Sequence, residues 1–150
     1  MIKEFDGKFA FLSNFYPSSI HQDGITYPTV EHYFQAMKTL NIEQREAIAA
    51  AATPGIAKRM GRKVNLRPDW ETIKVDVMRT GLRLKFSNCE LAQKLLATCN
   101  EYLIEGNTWH DNCWGDCSCP RCASTTGRNL LGQLLMEVRE EVHSEWASMQ

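Results

Sequence analysis

The chain has 150 residues, 43% hydrophobic and 23% charged, with a formal net charge of -1. That length and balance suit one globular domain with a real core and exclude a disordered chain. The near-zero charge argues against a protein that coats nucleic acid by neutralising phosphates, while leaving room for a local basic pocket. No apolar run approaches the length that spans a bilayer. The first residues, Met1 to Gly7, are charged and lack a signal-peptide core. The expected compartment is the cytoplasm, where the six cysteines stay reduced rather than forming a disulfide framework.

In chain order, Phe9-Ala10-Phe11-Leu12-Ser13-Asn14-Phe15 is rich in aromatic residues and ends at Pro17, so the first part reads as strands and turns. Gln22-Asp23-Gly24 is a turn signal between Ile20 and Ile25-Thr26-Tyr27, and it predicts a hairpin. A run of helices follows. Thr29 is placed as the N-cap of a helix through Lys38. Thr53-Pro54 combines a cap with proline at the first helical position, and Gly61 is a natural stop. Pro68 and Asp69 open a longer helix containing Trp70, Ile73, Val77, Leu82 and Phe86. Ser87-Asn88-Cys89-Glu90 has the Ser-x-x-Glu pattern of a capping box, followed by the apolar stripe Leu91, Leu95 and Leu96. Tyr102 to Glu105 reads as a short strand, and Asn107 to Gly127 as irregular. The last helix starts near Asn129, with Leu131, Leu134, Leu135, Val138 and Val142 on its buried face. The expected class is α+β, mainly helical with a small antiparallel sheet.

Four segments offer chemistry. Glu31 falls in the first turn of a predicted helix, where the helix dipole favours a carboxylate. Glutamate is common there as a plain stabiliser, but the neighbours His32, Tyr33, Phe34 and Gln35 suit a pocket wall. The irregular stretch Trp109-His110-Asp111-Asn112-Cys113-Trp114-Gly115-Asp116 brings two further carboxylates. Asp111 or Asp116 could pair with Glu31 to stabilise an oxocarbenium-like state and activate water. The same two residues could equally cap turns. Cys119-Pro120-Arg121-Cys122 has zinc-knuckle spacing, with Cys113 and Cys117 completing four ligands and His110 as an alternative. Structural zinc stands there against metal-free surface thiols. A closed thiolate site would be structural, because it leaves no position for substrate. Thr125-Thr126-Gly127-Arg128-Asn129 precedes the last helix, whose free N–H groups could hold a phosphate. Lys38, Arg79 and Lys85 read first as solvated helix residues. Trp70 reads first as a core aromatic and second as a stacking platform.

These segments together resemble the NADAR family, which includes YbiA-like proteins. The resemblance runs through Phe11 to Phe15, Asp23 to Lys38, Ala57 to Arg62, Trp70, Lys74 to Arg79 and on to Lys85-Phe86, Asp111 to Asp116, and Gly127 to Arg139. Each piece is modest, but the ordered set is specific and covers almost the whole chain. It implies a YbiA-like single domain over residues 1–150 and a hydrolase of the N-glycosidase type that needs no redox cofactor. The implied substrate is a small phosphorylated ribosyl or ADP-ribosyl compound: a riboflavin-pathway intermediate, or an ADP-ribosylated guanine that can belong to a nucleic acid. Glu31, Trp70 and Asp111 are carried over as active-site residues, with Asn14, Lys38, Arg79, Trp114, Asp116 and Asn129 as pocket residues. The chain departs from YbiA-like proteins after Trp114-Gly115-Asp116, where theirs is glycine-rich and this one is cysteine-rich. Two other classes compete: a module that binds ADP-ribose or NAD without cleaving it, and a zinc-stabilised nucleic-acid adaptor. No oligomeric state is legible.

Overall fold

The computed structural model describes residues 1–149. The chain forms two compact units. One holds Asn14 to Lys85. The other joins Met1–Ser13 to the chain from Phe86 onward.

In the first unit, β1 (Ile20–Gln22) and β2 (Ile25–Tyr27) form the expected antiparallel hairpin, with Ile20 opposite Tyr27. Asp23 and Gly24 both have positive φ, 52° and 78°. That is the mirror-image turn whose twist matches a two-residue hairpin, and glycine takes its second position without strain. Helix α1 spans Val30–Ala36, and the Thr29 side chain caps it by accepting the His32 N–H at 3.1 Å. Every residue of α1 is buried, which is why its sequence shows no amphipathic stripe. Helices α2 (Ile42–Ala49), α3 (Pro54–Gly61) and α4 (Trp70–Lys85) surround it. Asn41 caps α2 by accepting from Gln44 at 2.9 Å, and Thr53 caps α3 by accepting from Ile56 at 3.1 Å.

His32, expected in a pocket wall, is instead a brace. Its Nε2 bonds the Ala51 carbonyl at 3.0 Å and its Nδ1 bonds the Thr29 hydroxyl at 2.8 Å. A carbonyl can only accept, so Nε2 carries the proton and Nδ1 accepts from Thr29. The imidazole thus ties the start of α1 to the residues that follow α2.

In the second unit, residues Gly7–Leu12 form a 3-10 helix rather than the expected strand. The backbone bonds there are local, Phe9 N–H to the Asp6 carbonyl and Ser13 N–H to the Ala10 carbonyl, both at 2.9 Å. The cap of α5 (Cys89–Leu96) is Asn88, whose side chain accepts the Leu91 N–H at 3.0 Å, one residue beyond the expected Ser87. The strand expected at 102–105 is an isolated parallel bridge between Ile2 and Leu103. The ladder proper comes next, as β3 (Gly106–Asn107) running parallel to β4 (Asp116–Cys117). Helix α6 (Leu130–Ser148) buries the predicted stripe of Leu131, Leu134, Leu135, Val138 and Val142. Each fully buried aliphatic side chain is worth roughly 1.5–3 kcal/mol against leaving it in water. Among the described residues no helix is long and apolar enough to cross a membrane.

Candidate active site

The first unit gathers a polar centre around Glu31. The Glu31 N–H donates to the Asn14 carbonyl at 3.1 Å, so the chain before the hairpin pins the start of α1. The Glu31 side chain is only 7% exposed. One turn on, Gln35 donates its Nε2–H to Glu31 Oε1 at 2.8 Å. Burial pushes the Glu31 carboxyl above the ordinary glutamate range, against the opposing pull of the Gln35 amide and of Lys58 and Lys38. A glutamate that merely complemented a helix dipole would sit in solvent and gain no such shift.

Gln35 reaches this position because residue 61 is glycine. A Cβ there would lie 1.9 Å from Gln35 Oε1, so any larger residue at position 61 would displace the amide that holds Glu31. Among the described residues, Gln35 Oε1 and Asn14 Oδ1 are buried acceptors without a hydrogen-bond partner. The Asn14 amide nitrogen points to Met78 Sδ at 3.5 Å, a weak acceptor. Orphaned buried acceptors are uncommon and mark places where water or a ligand supplies the missing donor.

Basic residues border this centre. Burial pushes the Lys38 amine below its ordinary range; Glu31 opposes the shift, while Arg62, Lys58 and Lys74 add to it. Three cations and one buried acid therefore lie close enough to act on Lys38. Lys74 is ion-paired with Glu71 at 2.6 Å. Lys38 Nζ sits 5.9 Å from the centre of the Phe34 ring, whose edge meets Trp70 with centroids 5.0 Å apart. Trp70 is 5% exposed, so its indole backs the Phe34 wall rather than offering an open stacking face. Arg79 pairs with Asp76 one turn earlier on α4. Lys85, at the end of α4, is 1% exposed with Nζ 5.7 Å from the Tyr16 ring. Burial pushes its amine down to about 7.

Asp111, Trp114, Asp116 and Asn129 lie in the second unit. There the carboxylates act as turn caps. Asp111 Oδ1 accepts the N–H groups of Cys113 and Trp114 at 3.1 and 2.9 Å. Asp116 Oδ1 accepts the Gly127 N–H at 2.8 Å. Asn129 has left-handed backbone (φ 52°) and bridges the Glu105 N–H and the Leu103 carbonyl with its amide, at 3.0 and 2.8 Å. The phosphate cradle expected at the start of α6 is occupied by the chain itself. The N–H groups of Arg128, Asn129, Leu130 and Leu131 donate to the carbonyls of Asn112, Gly115, Cys113 and Trp114 at 2.8–3.1 Å. Those carbonyls do what an anion would have done. Asn107 and Asn112, which sequence reasoning missed, staple the same loop. Asn107 Oδ1 accepts from Trp109 and Asp111 at 3.2 Å, and Asn112 Oδ1 accepts from Cys117 at 2.9 Å. Asparagine before a turn is the only signal that pointed to them.

His110, Cys117, Cys119 and Cys122 bring their ligand atoms within 4.8 Å of one another, a group that could hold a metal ion. Cys113, expected as a ligand, stands outside this set, and His110 takes its place.

Compared with known proteins, the chain matches the family described as NADAR domain over residues 2–143. It is 46% identical over 136 residues to the N-glycosidase YbiA of Shigella flexneri serotype 5b (strain 8401), covering 89% of this chain and 81% of that protein. It is 41% identical over 140 residues to a riboflavin biosynthesis protein of Vibrio vulnificus (strain YJ016), covering 91% of this chain and 36% of that longer protein. The NMR structure of the E. coli protein YbiA matches with a TM-score of 0.81 at 42% identity, covering 98% of this chain and 88% of that one. The two share one fold.

Proposed function

Because the chain belongs to the NADAR family, we propose that it is an N-glycosidase that hydrolyses the N-ribosyl bond of a phosphorylated ribosyl or ADP-ribosyl substrate, with Glu31 at the reacting carbon. The observation that carries this reading is the buried Glu31 carboxylate, held by Gln35 and bordered by two orphaned acceptors and a group of cations. In the reaction a water oxygen bonds to the anomeric carbon as the carbon–nitrogen bond breaks. The leaving nitrogen takes a proton and the water gives one up. The transition state carries oxocarbenium-like positive charge. A desolvated carboxylate stabilises that charge more strongly than one in water does, and it can accept the proton of the attacking water. Gln35 Oε1 and Asn14 Oδ1 suit ribose hydroxyl donors. Lys38, Lys58 and Arg62 suit the phosphate. Trp70 holds the Phe34 wall, and Arg79 stays with Asp76.

The cluster that could hold a metal ion supplies no step of this reaction, because four thiolate and imidazole donors would leave no coordination position for substrate. The substrate itself is either a ribosylamine of the riboflavin pathway, in keeping with the Vibrio relative's name, or an ADP-ribosylated guanine. Incubation with ADP-ribosyl-guanosine and with the pathway ribosylamine, followed by product analysis, is expected to show release of free base or amine from one of them. Tight calorimetric binding of ADP-ribose with no release from either would instead mark a binding module. With the true substrate, Lys58→Ala and Arg62→Ala are expected to raise KM about tenfold or more with a smaller change in kcat, the pattern of lost ground-state binding. Unchanged KM in both would remove the phosphate from this group.

Asp111 is assigned here to loop architecture. Asp111→Ala leaves two N–H groups without their acceptor and is expected to cost about 1–3 kcal/mol of stability. Asp111→Asn keeps Oδ1 and is expected to retain both Tm and most of the turnover. A loss beyond about a hundredfold in the Asn variant at unchanged Tm would return this carboxylate to the chemistry.

A further inference from the structure

We propose that His110, Cys117, Cys119 and Cys122 bind one structural Zn²⁺ through three thiolates and the His110 Nδ1, with Cys113 excluded. This inference is independent of the glycosidase reading.

The two nitrogen–sulfur distances are close to those of a tetrahedral site. With Zn–S near 2.3 Å and Zn–N near 2.0–2.1 Å, tetrahedral angles put nitrogen roughly 3.6 Å from each sulfur. His110 Nδ1 lies 3.2 Å from Cys119 Sγ and 3.5 Å from Cys122 Sγ. All four ligand atoms fall within 4.8 Å of one another. A single small cation at their centre is the simplest object that holds one nitrogen and three sulfurs so close.

The backbone supports the same reading. Cys117 Sγ accepts the N–H groups of His110 and Cys119 at 3.3 and 3.5 Å. Thiolates bound to zinc take such bonds from the chain that wraps them, which offsets their charge and fixes their orientation. Cys119 and Cys122 follow in a C-x-x-C turn, with the Cys122 N–H donating to the Cys119 carbonyl at 3.0 Å. His110 has φ 69°, unfavourable for a residue with a side chain. That strain is offset where the imidazole gains a metal bond.

Cys113 does not belong to the group whose ligand atoms converge. Its N–H is held by Asp111, and its carbonyl receives the Leu130 N–H at 3.1 Å. The chain from His110 to Cys122 is therefore fastened twice, by carboxamide and carboxylate caps on one side and by the metal on the other. Thiolate softness selects zinc over magnesium or calcium. A coordination shell closed by four protein ligands makes the ion structural.

The test is metal analysis of protein purified without added metal, combined with X-ray absorption at the zinc edge. About one zinc per chain is expected, with scattering fitted by three sulfurs and one nitrogen. Less than about a tenth of an equivalent would overturn the site. So would iron in place of zinc, a shell of four sulfurs, or a disulfide among these cysteines. Cys113→Ser is expected to keep the full zinc content, whereas Cys119→Ser is expected to lose at least about tenfold. Should Cys119→Ser fail to fold, His110→Cys supplies a fourth thiolate and is expected to retain zinc while shifting the shell to four sulfurs. An unchanged shell in that variant would show that His110 is no ligand. None of these readouts depends on turnover, so failure of the zinc site and failure of the glycosidase reading remain separate results.

Discussion

Glu31→Gln is expected to lower kcat about a thousandfold while leaving Tm unchanged or higher. The amide keeps the shape and removes the charge that the oxocarbenium-like state needs. Stability should not suffer, because the wild-type carboxylate is already disfavoured by its burial. Its folded pKa is raised above the unfolded value. The stability contributed by the protonated form is fully present below the unfolded value and is lost as pH rises through the folded one. Above the unfolded value the raised pKa is therefore a cost to the fold, and glutamine removes that cost. The same shift shapes the activity profile: if ionised Glu31 acts, kcat/KM falls on acidification at a higher pH than an exposed glutamate would produce. The checks are steady-state kinetics and a thermal melt of the two proteins side by side. Near-normal turnover in the glutamine variant would sink the assignment, and a fall in Tm of several degrees would make the variant uninformative about chemistry. Gly61 and Gln35 then become the places to look, since the glycine lets the amide reach Glu31.

The second large effect concerns Lys85. Its amine is pushed from 10.5 down to about 7 by burial. The Tyr16 ring at 5.7 Å favours the charged form, but such an attraction is worth about 0.5–2 kcal/mol and does not offset desolvation. Below pH 7 both folded and unfolded chains carry the proton, and the full penalty of burying it is felt. Between pH 7 and 10.5 the unfolded chain binds a proton that the folded chain does not. Stability therefore rises with pH across that window, by at most about 1.4 kcal/mol per pH unit and about 5 kcal/mol in total. Lys85→Met has a similar volume and no proton to bind. It is expected to lose the rise of stability with pH. Denaturant melts from pH 6 to 9.5 measure this, and they stop short of the range where Tyr27, raised to about 12 by burial, adds an opposing slope. A wild-type curve that is flat from pH 7 to 9.5 would show that Lys85 stays protonated in the fold.

Part of this protein is determined by residues a few positions apart, and that part is legible in the sequence. Thr29, Thr53 and Asp23-Gly24 act through hydrogen bonds and dihedral angles that span at most four residues, so caps and turn are found where their chemistry predicts. The stripe of α6 is legible for the same reason, because it repeats along one helix. The ordered motifs identify the family. The near miss at Ser87 shows the limit of local rules: asparagine caps as well as serine does, and here the neighbouring Asn88 holds the position.

The site itself was decided by tertiary structure. Glu31 has an ordinary first-turn address, and only the burial of all of α1 turns it into a desolvated acid. Gln35 and Gly61 are 26 positions apart in the chain, and no periodicity announces that they touch. The amides that open α6 look free until the carbonyls of 112–115 fold back onto them. His110 stands with Cys117, Cys119 and Cys122 where Cys113 was expected for a similar reason: spacing names candidates, while the folded loop decides which ligand atoms converge. Local chemistry determined where the elements begin. Burial and approach, which depend on the whole fold at once, determined which of their residues have work to do.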